Sequence, residues 1–331
     1  MANAASIKKM FSGFRHIHVA IIGDIMVDKY VYGNVDRSSP EPPLPVLDVK
    51  QKETRPGGAA NVAVNIKALD ATPYLFSVIG NDSEGDNLIS LLKLKGINTK
   101  HILRSEKRIT TAKTRIIAKN HQMMRIDEED ISDLDESLSK KLLQSILKFL
   151  QNTPPDVCIF EDYDKGVLSP EMISKIMHTC NQLNIPVIVD PKKKNFFAYQ
   201  HCTVFKPNIR EINESLHTSL QYVDLTSLNN ITTLLHQQLT HKITLITLGD
   251  KGIYLRAGKK SSIQKAHVRN VADVSGAGDT VVSVAALCLA AGAEPSQMAA
   301  IANIAGGLVC ESPGVVSIDK AQLLQECIDL L

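Results

Sequence analysis

Short β-branched and apolar runs alternate along this chain with amphipathic stretches of helix length, and this alternation constrains the fold most strongly. Such a rhythm of βαβ units predicts a mainly parallel sheet that helices cover on both faces. We therefore predict an α/β, doubly wound fold. The predicted strands are residues 17–22, 74–79, 156–160, 187–189, 203–205 and 243–248. The predicted helices are residues 58–69, 84–95, 136–150, 170–183, 208–216, 226–240, 279–291, 295–309 and 319–330.

Polar residues follow most of these predicted strands. The carboxyl ends of parallel strands meet at one edge of an open sheet, and ligands bind there. The sequence therefore predicts a ligand site at that edge. The residues concerned are Gly23 and Asp24, then 161–165, 190–192, 206–208, and finally Gly249 with Asp250.

Two segments, residues about 28–53 and 109–127, alternate like exposed strands and contain no helical pattern. We interpret them as a small antiparallel flap, or lid, on a single domain spanning residues 1–331; two additional edge hairpins are the alternative. The open edges of a flap need covering, which predicts a homodimer formed through it.

Composition excludes several classes of protein. The 37 basic and 35 acidic residues give a net charge of +2, so nucleic-acid and membrane partners are not expected. The expected partners are small molecules. Six cysteines without a Cys-x-x-Cys pair indicate reduced thiols in a cytoplasmic protein. No signal peptide is expected at the N-terminus, and the longest apolar run, 280–291, is too short to span a bilayer.

The motif at residues 273–280 carries the most chemistry. Glycines around an alanine allow the N–H groups of Gly276, Ala277 and Gly278 to point at one spot at a helix N-terminus, where an anion is favoured. Asp279 follows directly and is placed to act as a general base in phosphoryl transfer. The alternative is a tight turn with a capping aspartate. A Walker A loop and a dinucleotide fingerprint are both excluded, because the residues each requires after the glycines are missing.

The motifs taken together resemble the ribokinase-like family of carbohydrate kinases over nearly the whole chain. They are Gly23-Asp24 with Asp28, residues 56–61, residues 208–211, Thr247 and Gly249 with Gly252, and residues 273–279. Within the family, residues 37–46, 55–63, 120–125 and 162–166 are most similar to the kinases of D-glycero-β-D-manno-heptose 7-phosphate. Those enzymes phosphorylate the C1 hydroxyl for ADP-heptose and lipopolysaccharide synthesis. The sequence ends at Leu331 without the nucleotidyltransferase domain that follows in many relatives, so a stand-alone kinase is expected.

The resemblance implies a role for each motif at the reacting end of the site. Asp279 would be the base, and the amides of Gly276, Ala277 and Gly278 the anion hole. Asn208 and Glu211, one helical turn apart, would orient Mg²⁺ and its waters against the phosphates of ATP. Those two residues alone are more typical of a capping box, and they can serve both purposes.

The sugar and nucleotide contacts also follow from the resemblance. Gly57 and Gly58 would let a sugar approach the backbone, while Asn61, Asp28 and, more weakly, Asp24 would bind its hydroxyls; a lone aspartate after a strand is otherwise a turn residue. The contacts to ATP would be Thr247, Gly249 and Asn303, although a strand end and a surface asparagine explain these equally well. A monovalent-cation site, for K⁺ in some relatives, would involve Asp273, Ser275 and residues 314–317.

A phosphorylated sugar also requires cations, and the sequence offers several without distinguishing among them. The candidates are Arg37, Arg55, Arg115, Arg125, Lys165 and residues 192–194. Two other functions stay open, a kinase of another sugar and a sugar-binding regulator without activity. Asp279, Asn208 and Glu211 are all present, which favours the enzyme.

Overall fold

The structure, a computed structural model, describes residues 4–42, 44–119, 121–220 and 223–331. Pro43 and Asn120, which belong to two of the kinase-like stretches, lie outside the described residues. The helices in the described ranges are α1 (Ala4–Gly13), α2 (Ala59–Ala68), α3 (Ser83–Leu94), α4 (Glu136–Asn152), α5 (Pro170–Gln182), α6 (Ile209–Leu216), α7 (Leu225–Leu239), α8 (Ala277–Ala290), α9 (Pro295–Val309) and α10 (Lys320–Leu330), with short 3₁₀ helices at Phe14–His16 and Gly249–Lys251. The strands in those ranges are β1 (His18–Gly23), β2 (Ile25–Ser38), β3 (Pro45–Gly58), β4 (Thr72–Gly80), β5 (Ile102–Ser105), β6 (Ala112–Ala118), β7 (His121–Glu128), β8 (Val157–Glu161), β9 (Val187–Asp190), β10 (Val204–Phe205), β11 (Ile243–Thr247), β12 (Ile253–Ala257) and β13 (Lys260–Gln264).

Within these ranges the main sheet has nine strands in the order β13-β12-β11-β10-β9-β8-β1-β4-β5. Seven neighbouring strands of this sheet run parallel to one another, namely β5, β4, β1, β8, β9, β10 and β11. At the other edge, β12 pairs antiparallel with β11, and β13 pairs antiparallel with β12. The predicted α/β, doubly wound fold is confirmed. Strand β1 lies between β4 and β8, so the order of the strands reverses beside it and opens a crevice at their carboxyl ends.

Strand β1 shows how the sheet is buried on both faces. Val19 and Ile21 belong to one core cluster, which includes α2, α8 and α9, while Ala20 and Ile22 belong to the cluster under α4 and α5. Each fully buried large side chain of this kind contributes about 1.5–3 kcal/mol. Both faces must therefore be apolar, which is why the strands appear in the sequence as continuous hydrophobic runs.

Helix α8 lies inside the molecule. Its side chains from Asp279 to Cys288 are buried, and it packs against α2 and α9. Gly292, with φ of 74°, ends it as predicted, and the N–H of Ala293 donates to the carbonyl of Cys288 at 2.9 Å. A helix packed on all sides gives the residues at its N-terminus a rigid support.

The flap is a four-stranded sheet with the order β3-β2-β6-β7 among the described residues. Its two hairpins are antiparallel, as predicted, and a parallel pairing of β2 with β6 joins them. This pairing places Asp28 beside Lys113 and Tyr30 beside Arg115. Strand β3 extends beyond the predicted segment to Gly58, so the flap connects directly to α2.

Other differences from the predicted elements are at the edges. Helix α1 and the strands β5, β12 and β13 were not predicted, because they are short or carry polar residues on one side. The six cysteines are all free thiols. Over the described residues, no helix is both long enough and apolar enough to cross a membrane.

Candidate active site

Asp279 lies in the first turn of α8 and is buried at the crevice. Its Oδ2 accepts a hydrogen bond from Nδ2 of Asn61 at 2.7 Å, and its Oδ1 accepts one from the Tyr163 hydroxyl at 2.8 Å. Burial raises the pKa of Asp279 to about 6; the two hydrogen bonds oppose this shift, and the charges of Asp190 and Asp28 add to it. The carboxylate is therefore oriented by two donors and ionised at neutral pH.

Asn61 has a contact that the sequence does not predict. Its amide nitrogen donates to Asp279, and the predicted contact with a sugar hydroxyl stays a prediction. Asn65, one turn further along α2, donates to the carbonyl of Asn61 at 3.0 Å and accepts from the N–H of Ile318 at 2.9 Å. Asn61 is thus held in place to orient the carboxylate.

The N-terminus of α8 offers fewer free amides than predicted. Gly276 has φ of 80°, and a Cβ there would lie 3.0 Å from Nδ2 of Asn61, so this position requires glycine. The N–H of Ala277 donates to the carbonyl of Val274 at 3.2 Å. Within the part of the chain that the structure describes, the N–H groups of Gly276 and Gly278 have no acceptor. Two of the three predicted amides are therefore available to an anion.

Asp24, the weaker predicted sugar contact, binds its own loop in the structure. It is buried, and its oxygens accept from the N–H groups of Tyr163 at 2.9 Å, Lys165 at 3.2 Å and Val167 at 3.1 Å. Burial raises its pKa to about 6, Asp162 adds to the shift, and the three N–H groups oppose it. Asp24 organises the loop that carries Tyr163.

Asp28, Gly57 and Gly58 do meet, at the base of the flap. A Cβ on Gly57 would lie 2.1 Å from Oδ2 of Asp28, so only glycine allows this approach. Gly58, with φ of 60°, precedes α2. The guanidinium of Arg115 forms an ion pair with Oδ1 of the buried Asp28. Three of the predicted sugar residues therefore lie together at the base of the flap, and Arg115 orients the carboxylate of Asp28.

The remaining candidate cations are placed differently. Arg37 is exposed near the far end of β2, nine residues beyond Asp28, or roughly 30 Å along an extended strand. The structure does not bring it to the crevice. Arg55 pairs with Glu53 at 2.5 Å, Arg125 with Asp127 at 2.9 Å and Lys165 with Glu129 at 2.9 Å.

Asn208 and Glu211 form a capping box at the start of α6. The N–H of Glu211 donates to Oδ1 of Asn208 at 2.9 Å, and the N–H of Asn208 donates to Oε2 of Glu211 at 2.9 Å. The other carboxylate oxygen of Glu211 accepts from Lys192. The capping role is confirmed, and the magnesium role stays a prediction.

A buried group of charges lies at the ends of β8, β9 and β10, among the polar residues that the sequence places at the ligand edge of the sheet without an individual role. Lys206 pairs with Asp190 at 2.7 Å, and a Cβ on Gly278 would lie 3.6 Å from Oδ2 of Asp190 and 3.8 Å from Nζ of Lys206. Oε2 of Glu161 has no donor among the described residues. Burial raises the pKa of Glu161 well above its ordinary value, and the charges of Asp190 and Asp279 raise it further. The polar residues that follow most of the predicted strands are the sequence signal that could have identified this group.

A cavity of ≈ 640 Å³ opens beside the N-terminus of α8. The predicted nucleotide residues Thr247, Gly249 and Asn303 all line it. Its apolar walls include Val268 and Val271, and Ala277 and Gly278 lie at its polar end. Its lining suits a ligand with an apolar part and an anionic part.

The predicted monovalent-cation residues hold two loops together. Oδ1 of Asp273 accepts from the N–H of Ser275 at 2.9 Å, and Oδ2 accepts from the N–H of Gly314 at 3.0 Å. In the described ranges, no group of three or more His, Cys, Asp or Glu residues is arranged to hold a metal ion. Any metal here would need ligands from water or from a bound molecule.

Comparison with known proteins decides the family. Residues 16–321 match the pfkB family carbohydrate kinase. The chain belongs to the pfkB family of carbohydrate kinases. It is 38% identical over 319 residues to the bifunctional protein HldE of Desulfatibacillum aliphaticivorans, covering 96% of this chain and 64% of that protein. It is 36% identical over 309 residues to the bifunctional protein HldE of Helicobacter pylori strain J99, covering 92% of this chain and 66% of that protein. The chain thus spans somewhat less than two thirds of the length of these relatives.

Solved structures of pfkB-like kinases share the fold. Phosphofructokinase-2 from Escherichia coli, in complex with substrates and products, superposes with a TM-score of 0.79 at 17% identity, covering 95% of this chain and 99% of that one. Ribokinase from Arabidopsis thaliana, complexed with ribose and ATP, superposes with a TM-score of 0.73 at 16% identity, covering 95% of this chain and 99% of that one. Family membership implies the use of ATP and Mg²⁺.

Proposed function

We propose that this pfkB kinase transfers the γ-phosphoryl group of ATP to the C1 hydroxyl of D-glycero-β-D-manno-heptose 7-phosphate. The product would be the 1,7-bisphosphate used in ADP-heptose and lipopolysaccharide core synthesis. The observation that carries the proposal is the position of Asp279. It is buried in the first turn of α8, within electrostatic range of Asp28 and next to Gly278, which lines the same cavity as Thr247 and Gly249.

In this mechanism Asp279 accepts the proton of the attacking hydroxyl. The sugar oxygen forms a bond to the γ-phosphorus, the bond from that phosphorus to the bridging oxygen breaks, and ADP leaves with the electron pair. With a pKa of about 6, Asp279 is ionised at neutral pH and ready to take the proton. The N–H groups of Gly276 and Gly278 donate to the transferring phosphoryl group.

Lys206 supports the same end of the site. Its ammonium lies beneath Gly278 and is buried with Asp190. The ammonium offsets the negative charge of Asp190, which would otherwise repel the transferring group, because solvent screening is weak at a buried position. This electrostatic support adds to that of the α8 dipole.

The buried carboxylates fit a hydrated Mg²⁺. Magnesium usually keeps several waters and takes one or two carboxylates together with substrate phosphates. Oε2 of Glu161 is a buried acceptor with no donor in the described structure. The negative charge of Asp190 raises the pKa of both Glu161 and Glu211, so Asp190 lies near both carboxylates. Glu161 and Glu211, with Asn208, would hold the ion. When bound, Mg²⁺ neutralises charge on the nucleotide phosphates.

The choice of sugar rests on the heptose-kinase-like stretches and on the relatives named bifunctional protein HldE. The flap supports a homodimer, because large apolar side chains are exposed on it. They are Leu44, Val49, Met123, Met124 and Ile126. We also propose that K⁺ binds near Asp273 and Ser275. Replacing K⁺ with Na⁺ in the assay tests this site.

A coupled ADP-release assay over paired sugars tests the function. Heptose 7-phosphate, free heptose, fructose 6-phosphate and fructose are compared at equal ATP and Mg²⁺, and ³¹P NMR locates the new phosphate. We expect the highest kcat/KM for heptose 7-phosphate and a new anomeric phosphate signal. Higher efficiency with fructose 6-phosphate would assign the chain to another pfkB activity.

A further inference from the structure

Lys113, on β6, differs from the other cations around the sugar pocket. Arg55, Arg115, Arg125 and Lys165 each form an ion pair with a carboxylate. No ion pair or hydrogen bond of the Lys113 ammonium is found within the described residues. Its Nζ lies 5.6 Å from the centroid of the Tyr163 ring.

The position of Lys113 links it to the reacting atoms. It pairs in register with Asp28, so the two side chains share the inner face of the flap. The Tyr163 hydroxyl donates to Asp279. The ring of Tyr163 therefore lies between Lys113 and the proposed base Asp279. Lys113 is also next to Asp28, which would bind the sugar.

The carboxylates around this ammonium offset the effect of its burial only in part. Burial lowers the pKa of Lys113, and the nearby charge of Lys165 lowers it further, while Asp28, Glu129 and Asp127 oppose the shift. None of these three carboxylates forms an ion pair with Lys113 in the described structure. A partly buried ammonium without an ion pair favours an anionic ligand beside it.

We propose that Lys113 binds the distal phosphate of the sugar substrate. This inference rests on the proposed function in one respect, that the substrate is a phosphorylated sugar. A free cation can bind phosphate without first losing an ion pair, which the arginines of the flap would have to do. Lys113 is therefore a specificity-determining residue, and it lies outside every motif of the sequence analysis.

The test compares Lys113→Met with Lys52→Met. Lys52 is an exposed lysine of the same flap, and it pairs with Val31, whose side chain lies on the opposite face from Asp28 and Tyr30. Initial rates are measured with phosphorylated and free heptose at saturating ATP, and with varied ATP at saturating sugar. Thermal midpoints are recorded for both variants.

Lys113→Met is expected to raise the KM for heptose 7-phosphate by roughly 10- to 100-fold, the strength of a charged hydrogen bond. Its kcat, its KM for ATP and its efficiency with free heptose should stay within about threefold of wild type. The thermal midpoint should be unchanged or higher, because the substitution removes a partly buried charge that has no ion pair. Lys52→Met should resemble wild type in every measurement.

Equal losses with both sugars, or a raised KM for ATP alone, would overturn the assignment of Lys113. Failure of the proposed function gives a different result. If wild type prefers fructose 6-phosphate over both heptoses, the same comparison is made with fructose 6-phosphate and fructose, and Lys113 is tested there. If wild type prefers unphosphorylated sugars throughout, the subsite itself is wrong.

Discussion

Replacing Tyr163 with Phe should move the acid limb of the pH–rate profile to higher pH. The substitution keeps the ring that lies beneath Lys113 and Lys192 and removes the hydroxyl that donates to Asp279. Burial and the neighbouring Asp279 raise the pKa of Tyr163 well above its ordinary value, so the hydroxyl stays a donor throughout the working range. Its hydrogen bond stabilises the ionised form of Asp279, and its loss must raise the pKa of Asp279.

The magnitude follows from the structure. Asp279 has a pKa of about 6 with both hydrogen bonds in place, and the bond from Asn61 remains in the variant. A hydrogen bond to a charged group is worth about 1.5 kcal/mol at the lower end, or about one pKa unit. The base works only when deprotonated, so activity is lost as pH falls through its pKa. The midpoint should therefore move from about 6 to roughly 7. At pH 6 the ionised fraction falls roughly fivefold, and at pH 8 it hardly changes.

The assay is kcat/KM for the sugar between pH 5 and pH 9, with ADP release as the readout. Phosphate groups of the substrates titrate near pH 6 as well, but they are the same for both enzymes, so the difference between the profiles isolates the protein. Tyr74→Phe, which removes a hydroxyl that contacts His18, is the matched control and should leave the profile unmoved. An unshifted or lowered midpoint in the Tyr163 variant would refute the role of Asp279 as the titrating base.

Two further predictions concern the metal and the flap. Glu211→Gln should raise the Mg²⁺ concentration for half-maximal rate. It should also lower the thermal midpoint, since Glu211 binds Lys192 and caps α6. Glu214→Gln, on the same helix, is the control, and an unchanged Mg²⁺ titration in the Glu211 variant would leave only the capping role. The sugar phosphate should slow amide hydrogen exchange in β3 and β6, because closure of the flap over the sugar excludes water from the transfer. Equal exchange with and without sugar would contradict closure.

Much of the fold could be predicted because the parallel strands are buried on both faces. Continuous apolar runs such as those of β1 and β8 mark themselves in the sequence. The end of α8 at Gly292 and the capping box of α6 are local patterns, so they were also readable. The pairing of β2 with β6 was not, because Asp28 and Lys113 are far apart in sequence and no local residue specifies their register.

The site was predictable in position and less so in contacts. The motifs indicate that Asp279, Asp28 and Gly57 belong at one crevice edge, but they do not show which donor reaches which carboxylate. Asn61 and Tyr163 bind Asp279 across sequence separations of 218 and 116 residues. An aspartate after a strand has the same sequence signature whether it faces a ligand or, like Asp24, binds its own loop.

The most direct test of the central claim is the turnover of Asp279→Asn with ATP and heptose 7-phosphate. The amide keeps the shape of the side chain but cannot accept the proton. We predict a loss of roughly a hundredfold or more in kcat, while wild type forms the anomeric phosphate with one ADP per product. ATP binding, measured by calorimetry, should be nearly unchanged in the variant. Near-normal turnover by a folded Asp279→Asn protein would contradict the account and remove Asp279 from the mechanism.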